Sequence, residues 1–563
     1  MASSTPGIHE ICDRYVEDYA AVHPVAATFM GVTGHESELT DYSPDGHAGR
    51  AELTRQALAA VSEREPADAV QRAARAVFTE RAGIELELHD AGLDTAALNV
   101  IESPVHEIRM VFDLMPRQRV ADWEVIAARM SKVPAAMDQV RASLLAAADA
   151  GRVAALRQVS KVAEQCDTWA GLHGEPGFFD ALAADAEAAD GVPDSLRRDL
   201  AHHAHAAQEA FAEFAGFLRA ELAPQAPSKD AVGADVYRLW SRFFTGAELD
   251  LREAYEWGWE EFSRVEARAR EVADRIKTGA TLAEAAAVLD ADPRYLVSGQ
   301  EEFRRWMQGL SDEALRSLRG IHFDIPDEIM ALECLIAPPG GKVGAYYTGP
   351  NEDFSRPGRM WWSVPSDKAE FPTWREATTV YHEGVPGHHL QIATAVYQGE
   401  TLNRFQRLMA FTSGHAEGWA LYAERYMEEL GYLSDDGNLL GMLDAHLFRA
   451  ARVIVDIGMH LELEIPTGTG FHEGERWTPQ LGLEFLLNRT MTDPELVRDE
   501  LDRYLGWPGQ APSYKLGERL WLAARQDAER RKGADFDIKD FHMQALRMGG
   551  MGLDTLREQL AFM

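Results

Sequence analysis

Over most of its 563 residues the chain sets apolar side chains at three- and four-residue steps, within stretches rich in Ala, Leu, Glu and Arg. One face of a helix can bury that spacing and a strand cannot. The run from Asp194 to Leu222 shows the pattern. Pro193 and Asp194 give a start signal, Leu196, Leu200, Ala204, Phe211, Phe214 and Leu218 form a broad stripe, and Pro224 lies just beyond. Its His202, His203 and His205 lack the four-residue step of a helical metal pair and read as solvated or capping residues. Beta-rich runs are few, so the sequence predicts a mainly α protein with a few short strands. The texture changes at about Ile325 to Pro372, where Pro and Gly become frequent and aromatic residues cluster in PPGGKVGAYYTGP and GRMWWSVP. This stretch reads as loop with short strands. Arg359 to Val364 reads equally as an edge strand, onto which an extended peptide can add as a further strand, or as a strand that only packs.

A chain of this length exceeds what one hydrophobic core usually supports. The expected division is a helical N-terminal half, residues 1–300, and a catalytic half, residues 301–563, with an active cleft between them. With 46% hydrophobic and 26% charged residues the composition is that of an ordinary globular protein. The formal net charge of -35 disfavours nucleic acid, whose phosphates need clustered Lys and Arg. Cys12, Cys166 and Cys334 are odd in number and widely spaced, and read as buried thiols in a reducing compartment. Acids at Glu10, Asp13, Glu17 and Asp18 interrupt any apolar run a signal peptide would need, and no stretch resembles a membrane span. A cytoplasmic location away from membranes is the expectation.

Chemistry concentrates in Tyr381 to Gln391, YHEGVPGHHLQ. A zinc peptidase needs two imidazoles and a third protein ligand, an open position for water, and a carboxylate beside that water. HExxH on one helix supplies both His and the Glu. Here His382 and Glu383 are followed by Gly384, Val385, Pro386 and Gly387 before His388 and His389, so the second imidazole comes late. In a straight helix a six-residue step turns through about 240° net and rises about 9 Å, too far for one ion. The helix must therefore be interrupted. Pro386 offers no N–H to the carbonyl of residue 382, and Gly384 and Gly387 let the chain bulge. The order Gly387, His388, His389, Leu390 resembles the Gly, His, small residue, Leu that closes many HExxH helices. His388 is therefore taken as the ligand, with His389 as the alternative or as its supporting hydrogen-bond partner.

The third ligand is read from Ser413 to Gly431, SGHAEGWALYAERYMEELG, which starts on a capping residue, ends on Gly and carries Glu417 in its first turns. EGWALY is similar to the EGFAxY of zinc aminopeptidases, where a downstream helical Glu is the third ligand. Four ordered motifs, HEGVPGHHLQ at 382, EGWALYAE at 417, RAARVIVDIGMH at 449 and PGQAPSYKLG at 508, resemble a bacterial family known only as a domain of unknown function. Its members share HExxPGHHLQ, EGWAxYxE, RxxRxxxDxGxH and PGQAxSYKxG, and the match spans most of the C-terminal half. The chain departs from it at Pro512, where Leu is common, next to Tyr514. The resemblance implies a large helical, zincin-like metallopeptidase fold and zinc chemistry on a peptide substrate.

Arg449, Arg452, Asp456 and His460 recur at three- and four-residue steps on one helix face. They read equally as a structural Arg–Asp network or as substrate contacts, with an Arg holding a peptide carboxylate and His460 stabilising the oxyanion. Tyr514 is the preferred oxyanion donor. Tyr346 and Tyr347 are expected to line the cleft, Lys515 reads as a partner of a substrate carboxylate or as a solvated residue at a surface turn, and Glu424 and Asp456 stand as supporting partners of the ligands or alternative ligands. The expected function is a peptidase of carboxypeptidase, dipeptidase or oligopeptidase type, with one zinc ion and Glu383 as general base. Two rivals are a catalytically inactive zincin-like scaffold and a di-iron oxidoreductase. The second wants Glu-x-x-His pairs, and no His here has a Glu three residues before it.

Overall fold

Helix Asp194–Phe217 starts where the sequence places it, and its buried residues, among them Leu196, Leu200, Ala204, Phe211 and Phe214, fall on the predicted stripe. A π-helical turn, Leu218–Leu222, continues it toward Pro224. His202 and His205 are exposed. This helix belongs to a computed structural model that describes residues 6–337, 344–364 and 368–562. The first six residues of PPGGKVGAYYTGP, and Pro365 at the end of GRMWWSVP, lie outside the described residues. The protein is mainly α, as the periodicity predicts, with a few short strands. Among the described residues no helix is long and apolar enough to cross a membrane.

The chain forms two compact units, which do not coincide with a division at residue 300. One comprises Met1–Glu65, Ala82–Val232 and Asp499–Trp507; the other comprises Pro66–Arg81, Gly233–Arg498 and Pro508–Met563. The first has a core of helix-borne side chains such as Val105, Ile108, Phe112, Ile126, Val140, Phe179 and Phe211. All four motif segments lie in the second.

The elements that build the site in the second unit are α1 (Ala234–Thr245), α2 (Leu251–Ile276), α3 (Thr373–Glu383), α4 (His388–Tyr397), α5 (Ser413–Glu429), α6 (Asp436–Leu461) and α7 (Ser513–Lys532). Strands β1 (Leu332–Ile336), β2 (Ala345–Thr348) and β3 (Gly358–Trp362) form a small sheet in the order β1-β3-β2. β3 is thus central, parallel to β1 with Cys334 opposite Met360 and antiparallel to β2 with Tyr347 opposite Met360. The strand expected at Arg359–Val364 is Gly358–Trp362 and is central, not an edge; the outer strands of this sheet are β1 and β2. Local sequence sets strand propensity, but the order of strands depends on what each packs against.

Helix α6 is buried over most of its surface and packs against α2, α3 and α7. Asp435 caps it, accepting from Gly437 N and Asn438 N. Helix α5 is capped by Thr412, whose Oγ1 accepts from His415 N at 3.1 Å, so Ser413 is its first helical residue and not its cap. Gly418 of EGWALY meets Gly517 of SYKLG where α5 crosses α7. A Cβ on Gly418 would lie 2.5 Å from the Gly517 carbonyl carbon, so this crossing admits no side chain. It brings the helix bearing Glu417 and Glu424 against the helix bearing Lys515.

Candidate metal centre

His382 and Glu383 are the last two residues of α3, and His388 is the first of α4. Between them Gly384–Gly387 interrupt the helix, with the Val385–Pro386 peptide cis. Backbone bonds hold the loop: Gly384 N donates to Val380 O at 2.9 Å, Gly387 N to Tyr381 O at 3.1 Å and His389 N to Gly384 O at 3.1 Å. From α5 the Trp419 indole donates to Pro386 O at 2.8 Å, a bond worth about 1 kcal/mol. A Cβ on Gly387 would lie 1.9 Å from His382 O, so only Gly lets the chain fold back this tightly. The result is that His382 and His388 face one another, ring centroids 4.8 Å apart and planes at 88°.

Glu417 enters from α5. Its Oε2 lies 3.2 Å from His382 Nε2 and 3.6 Å from His388 Nε2. His382, Glu383 and His388, all buried, also each bring one ligand atom within 4.8 Å of the others. This buried cluster can hold a metal ion. Ligands about 2.1 Å from a tetrahedral ion stand about 3.4 Å apart, and the two His–Glu417 separations bracket that value. The chemistry of the set also fits: two imidazoles and a carboxylate converge, with a further carboxylate, Glu383, that makes no hydrogen bond among the described residues.

The electrostatics follow from burial against pairing. Burial alone would raise Glu417, but the charge and hydrogen bonds of His388 and His382 overcome it and hold the carboxyl well below its ordinary range. Burial would lower His382, yet hydrogen bonds to Glu417 and Glu424 push it up to about 9. Positive charge on the His382 ring, held between those two carboxylates, is therefore favoured. Glu383 moves the other way, since its burial outweighs the nearby imidazoles and raises its pKa.

His389 faces away from the cluster. Its Nε2 donates to Ile329 O at 2.8 Å and its Nδ1 accepts from the Tyr347 hydroxyl at 2.9 Å, so both ring nitrogens are engaged. Tyr347 thereby braces α4 on the sheet. Tyr346 stacks on Trp361, centroids 6.2 Å apart. Glu424 sits behind His382, its Oε1 accepting from Nδ1 at 2.7 Å while Oε2 accepts from Thr378 Oγ1. A carboxylate on the far nitrogen of a metal-facing imidazole fixes ring orientation and raises basicity.

Arg449 on α6 carries its charge close to Glu383 and Glu424. Its Nε is buried without a hydrogen-bond partner among the described residues. Arg452 lies over the ring of Tyr514 at 4.9 Å and over Phe448 at 4.8 Å. Pro512 takes the N-cap position of α7, which makes Tyr514 its second residue, half-buried. Asp456 and His460 lie further along α6. Asp456 Oδ2 accepts from the Tyr237 hydroxyl at 2.6 Å and from Gly509 N at 2.9 Å, tying α1 and the PGQ loop to α6. The His460 ring packs by Tyr237 at 5.6 Å, and its carbonyl accepts from Gly233 N.

Sequence reasoning missed His446, Glu518, Glu261 and Thr378, and misjudged Lys515, which is fully buried. His446 Nε2 lies 3.4 Å from Glu424 Oε2, and its Nδ1 meets Lys515 Nζ at 2.8 Å. Lys515 also pairs with Glu518 and, at 3.0 Å, with Glu261 of α2. His446 carried a signal: it lies one turn before Arg449 on the face already marked by Arg449 and Asp456. Glu261 carried none, being far from every motif in the chain.

Fold and cluster together define a mainly helical protein with a buried His/Glu site able to hold a metal ion. The chain belongs to the family described as "Bacterial protein of unknown function (DUF885)", whose profile matches residues 24–560. A candidate lipoprotein from Colwellia psychrerythraea has the same fold, with 24% identity, a TM-score of 0.84, and 99% of this chain and 98% of that chain covered. A candidate lipoprotein of unknown function from Shewanella oneidensis is 16% identical with a TM-score of 0.75, covering 99% of this chain and 100% of that one. Among curated proteins none matches the chain.

Proposed function

We propose that the protein is a zinc-dependent peptidase in which His382, His388 and Glu417 hold the ion and Glu383 is the general base. The observation that carries this reading is the convergence of two imidazole nitrogens on Glu417 Oε2, at 3.2 and 3.6 Å, beside a buried carboxylate with no hydrogen bond among the described residues. Zinc held there would supply Lewis acidity and lower the pKa of water. Glu383 accepts the proton of the attacking water and passes it to the leaving amine. Its raised pKa is the direction that double duty requires. Tyr514, beneath Arg452, is the oxyanion donor in this reading.

The sheet suits an extended peptide. Ser363 N donates to Gly344 O at 2.9 Å, and with Tyr346 opposite Trp361 this turns the backbone groups of Tyr346 and Thr348 toward β3. The N–H and C=O of Ala345 and Tyr347 then point away from β3, where an added strand would bond them. Arg449, with no ion pair among the described residues, is the group on hand to take a substrate carboxylate.

The zinc-loaded protein is expected to hydrolyse short peptides, to lose that activity to a chelator and to regain it with zinc. Arg449→Gln should raise KM for peptides with a free C-terminus by about 10-fold or more, as loss of a charged hydrogen bond does, and leave the same peptides in amidated form unchanged. Equal effects on both forms would remove Arg449 from substrate binding.

A further inference from the structure

We propose that Lys515 and His446 hold in place Glu424, the carboxylate that fixes the tautomer and orientation of His382, and so set the protein's affinity for a metal ion through a buried relay Lys515–His446–Glu424–His382. The inference rests on the reading of His382 as a metal ligand and assigns a positioning role to residues that touch neither ion nor substrate.

Donors and acceptors along the relay can be counted. A Lys ammonium has three N–H donors and no acceptor. Lys515 Nζ meets three acceptors: Glu518 Oε2, Glu261 Oε1 at 3.0 Å and His446 Nδ1 at 2.8 Å. His446 Nδ1 therefore carries the lone pair, and the proton of the neutral ring sits on Nε2. Nε2 faces Glu424 Oε2 at 3.4 Å, longer than a well-formed hydrogen bond, and has no other partner among the described residues. Glu424 is fully buried and, as a carboxylate, accepts only; Thr378 Oγ1, His446 Nε2 and His382 Nδ1 all turn toward it. His382 Nδ1 is then a donor, which leaves the Nε2 lone pair for the side facing Glu417 and His388. Without Lys515 the His446 proton could move to Nδ1. A lone pair would then face the carboxylate of Glu424, loosening the group that orients His382.

The relay draws on α2, α3, α5, α6 and α7, and its members are among the least exposed polar groups in the protein: Lys515 and Glu424 are 0% exposed, Glu518 1% and His446 2%. Such a cluster could exist only to join helices, so the test must separate joining from tautomer control. Lys515→Met is a poor probe because it leaves two buried carboxylates short of a cation and threatens folding. His446 offers a cleaner pair. The amide nitrogen of Gln reaches the position of Nε2, and that of Asn reaches Nδ1; both are neutral and both keep the lysine.

The experiment measures Zn2+ affinity by chelator competition and the visible spectrum of the Co2+-loaded protein, with urea unfolding of the metal-free protein as the control for folding. His446→Gln should bind zinc within about threefold of wild type, and His446→Asn about 10- to 100-fold more weakly with an altered cobalt spectrum, as losses behind a ligand do. The two metal-free variants should unfold at the same urea concentration. Equal zinc affinities and cobalt spectra in the two variants would overturn the relay and leave the ligand set standing. A wild-type protein that takes up neither Zn2+ nor Co2+ would overturn the ligand set, and the relay with it.

Discussion

Glu383→Gln is expected to keep zinc affinity within a few-fold of wild type and to cut peptide hydrolysis by about 10³-fold, the contribution of a positioned general acid–base group. The substitution is nearly isosteric. It breaks no hydrogen bond among the described residues, since Glu383 makes none, and it removes a carboxylate that burial already disfavours. Folding should therefore be untouched or improved, and the loss should fall on kcat. The variant also separates two readings of the cluster. If Glu383 itself bound the ion beside His382 and His388, as the grouping of ligand atoms allows, Glu383→Gln would lose zinc by orders of magnitude and Glu417→Gln would not. The present assignment requires the reverse.

Gly387→Ala should have the largest structural effect of any single methyl group near the site. The new Cβ would sit 1.9 Å from His382 O and 2.5 Å from Tyr381 O, both rigid backbone atoms at the end of α3. Neither can give way without moving His382, so the loop must open and carry His388 off. A cost at the upper end of single substitutions, about 4 kcal/mol, is expected, with zinc affinity lowered by more than about 100-fold. Gly399→Ala, whose Cβ would meet nothing closer than 3.5 Å, is the matched control and should change urea unfolding by no more than about 0.5 kcal/mol. Wild-type zinc affinity in Gly387→Ala would contradict the claim that this turn shapes the site.

Much of the centre was legible because it is local. Pro386 with Gly384 and Gly387 predicts the break in the helix from covalent structure alone, and the break is what brings His388 opposite His382. His388 over His389 could not be decided from the chain, because the choice depends on Ile329 O and Tyr347 OH, which engage both nitrogens of His389 from distant segments. Lys515 was misread for the same kind of reason. In sequence it is a polar residue after a turn; only the Gly418–Gly517 crossing, together with Glu261 and Glu518, makes a buried lysine tolerable there. The face Arg449, Arg452, Asp456 and His460 was correctly placed on one helix but divided in role. Arg449 bears on the cluster, while Asp456 ties α1 and the PGQ loop to α6. Helical periodicity shows which residues share a face and not what that face meets along its length.

The ligand set can be seen by anomalous diffraction at the zinc absorption edge from crystals of the zinc-loaded protein. One strong peak is expected in the second unit, about 2.0–2.2 Å from His382 Nε2, His388 Nε2 and Glu417 Oε2, with Glu424 still on His382 Nδ1 and Glu383 unliganded. A peak on other side chains, or no peak with His382 still hydrogen-bonded directly to Glu417, would contradict it.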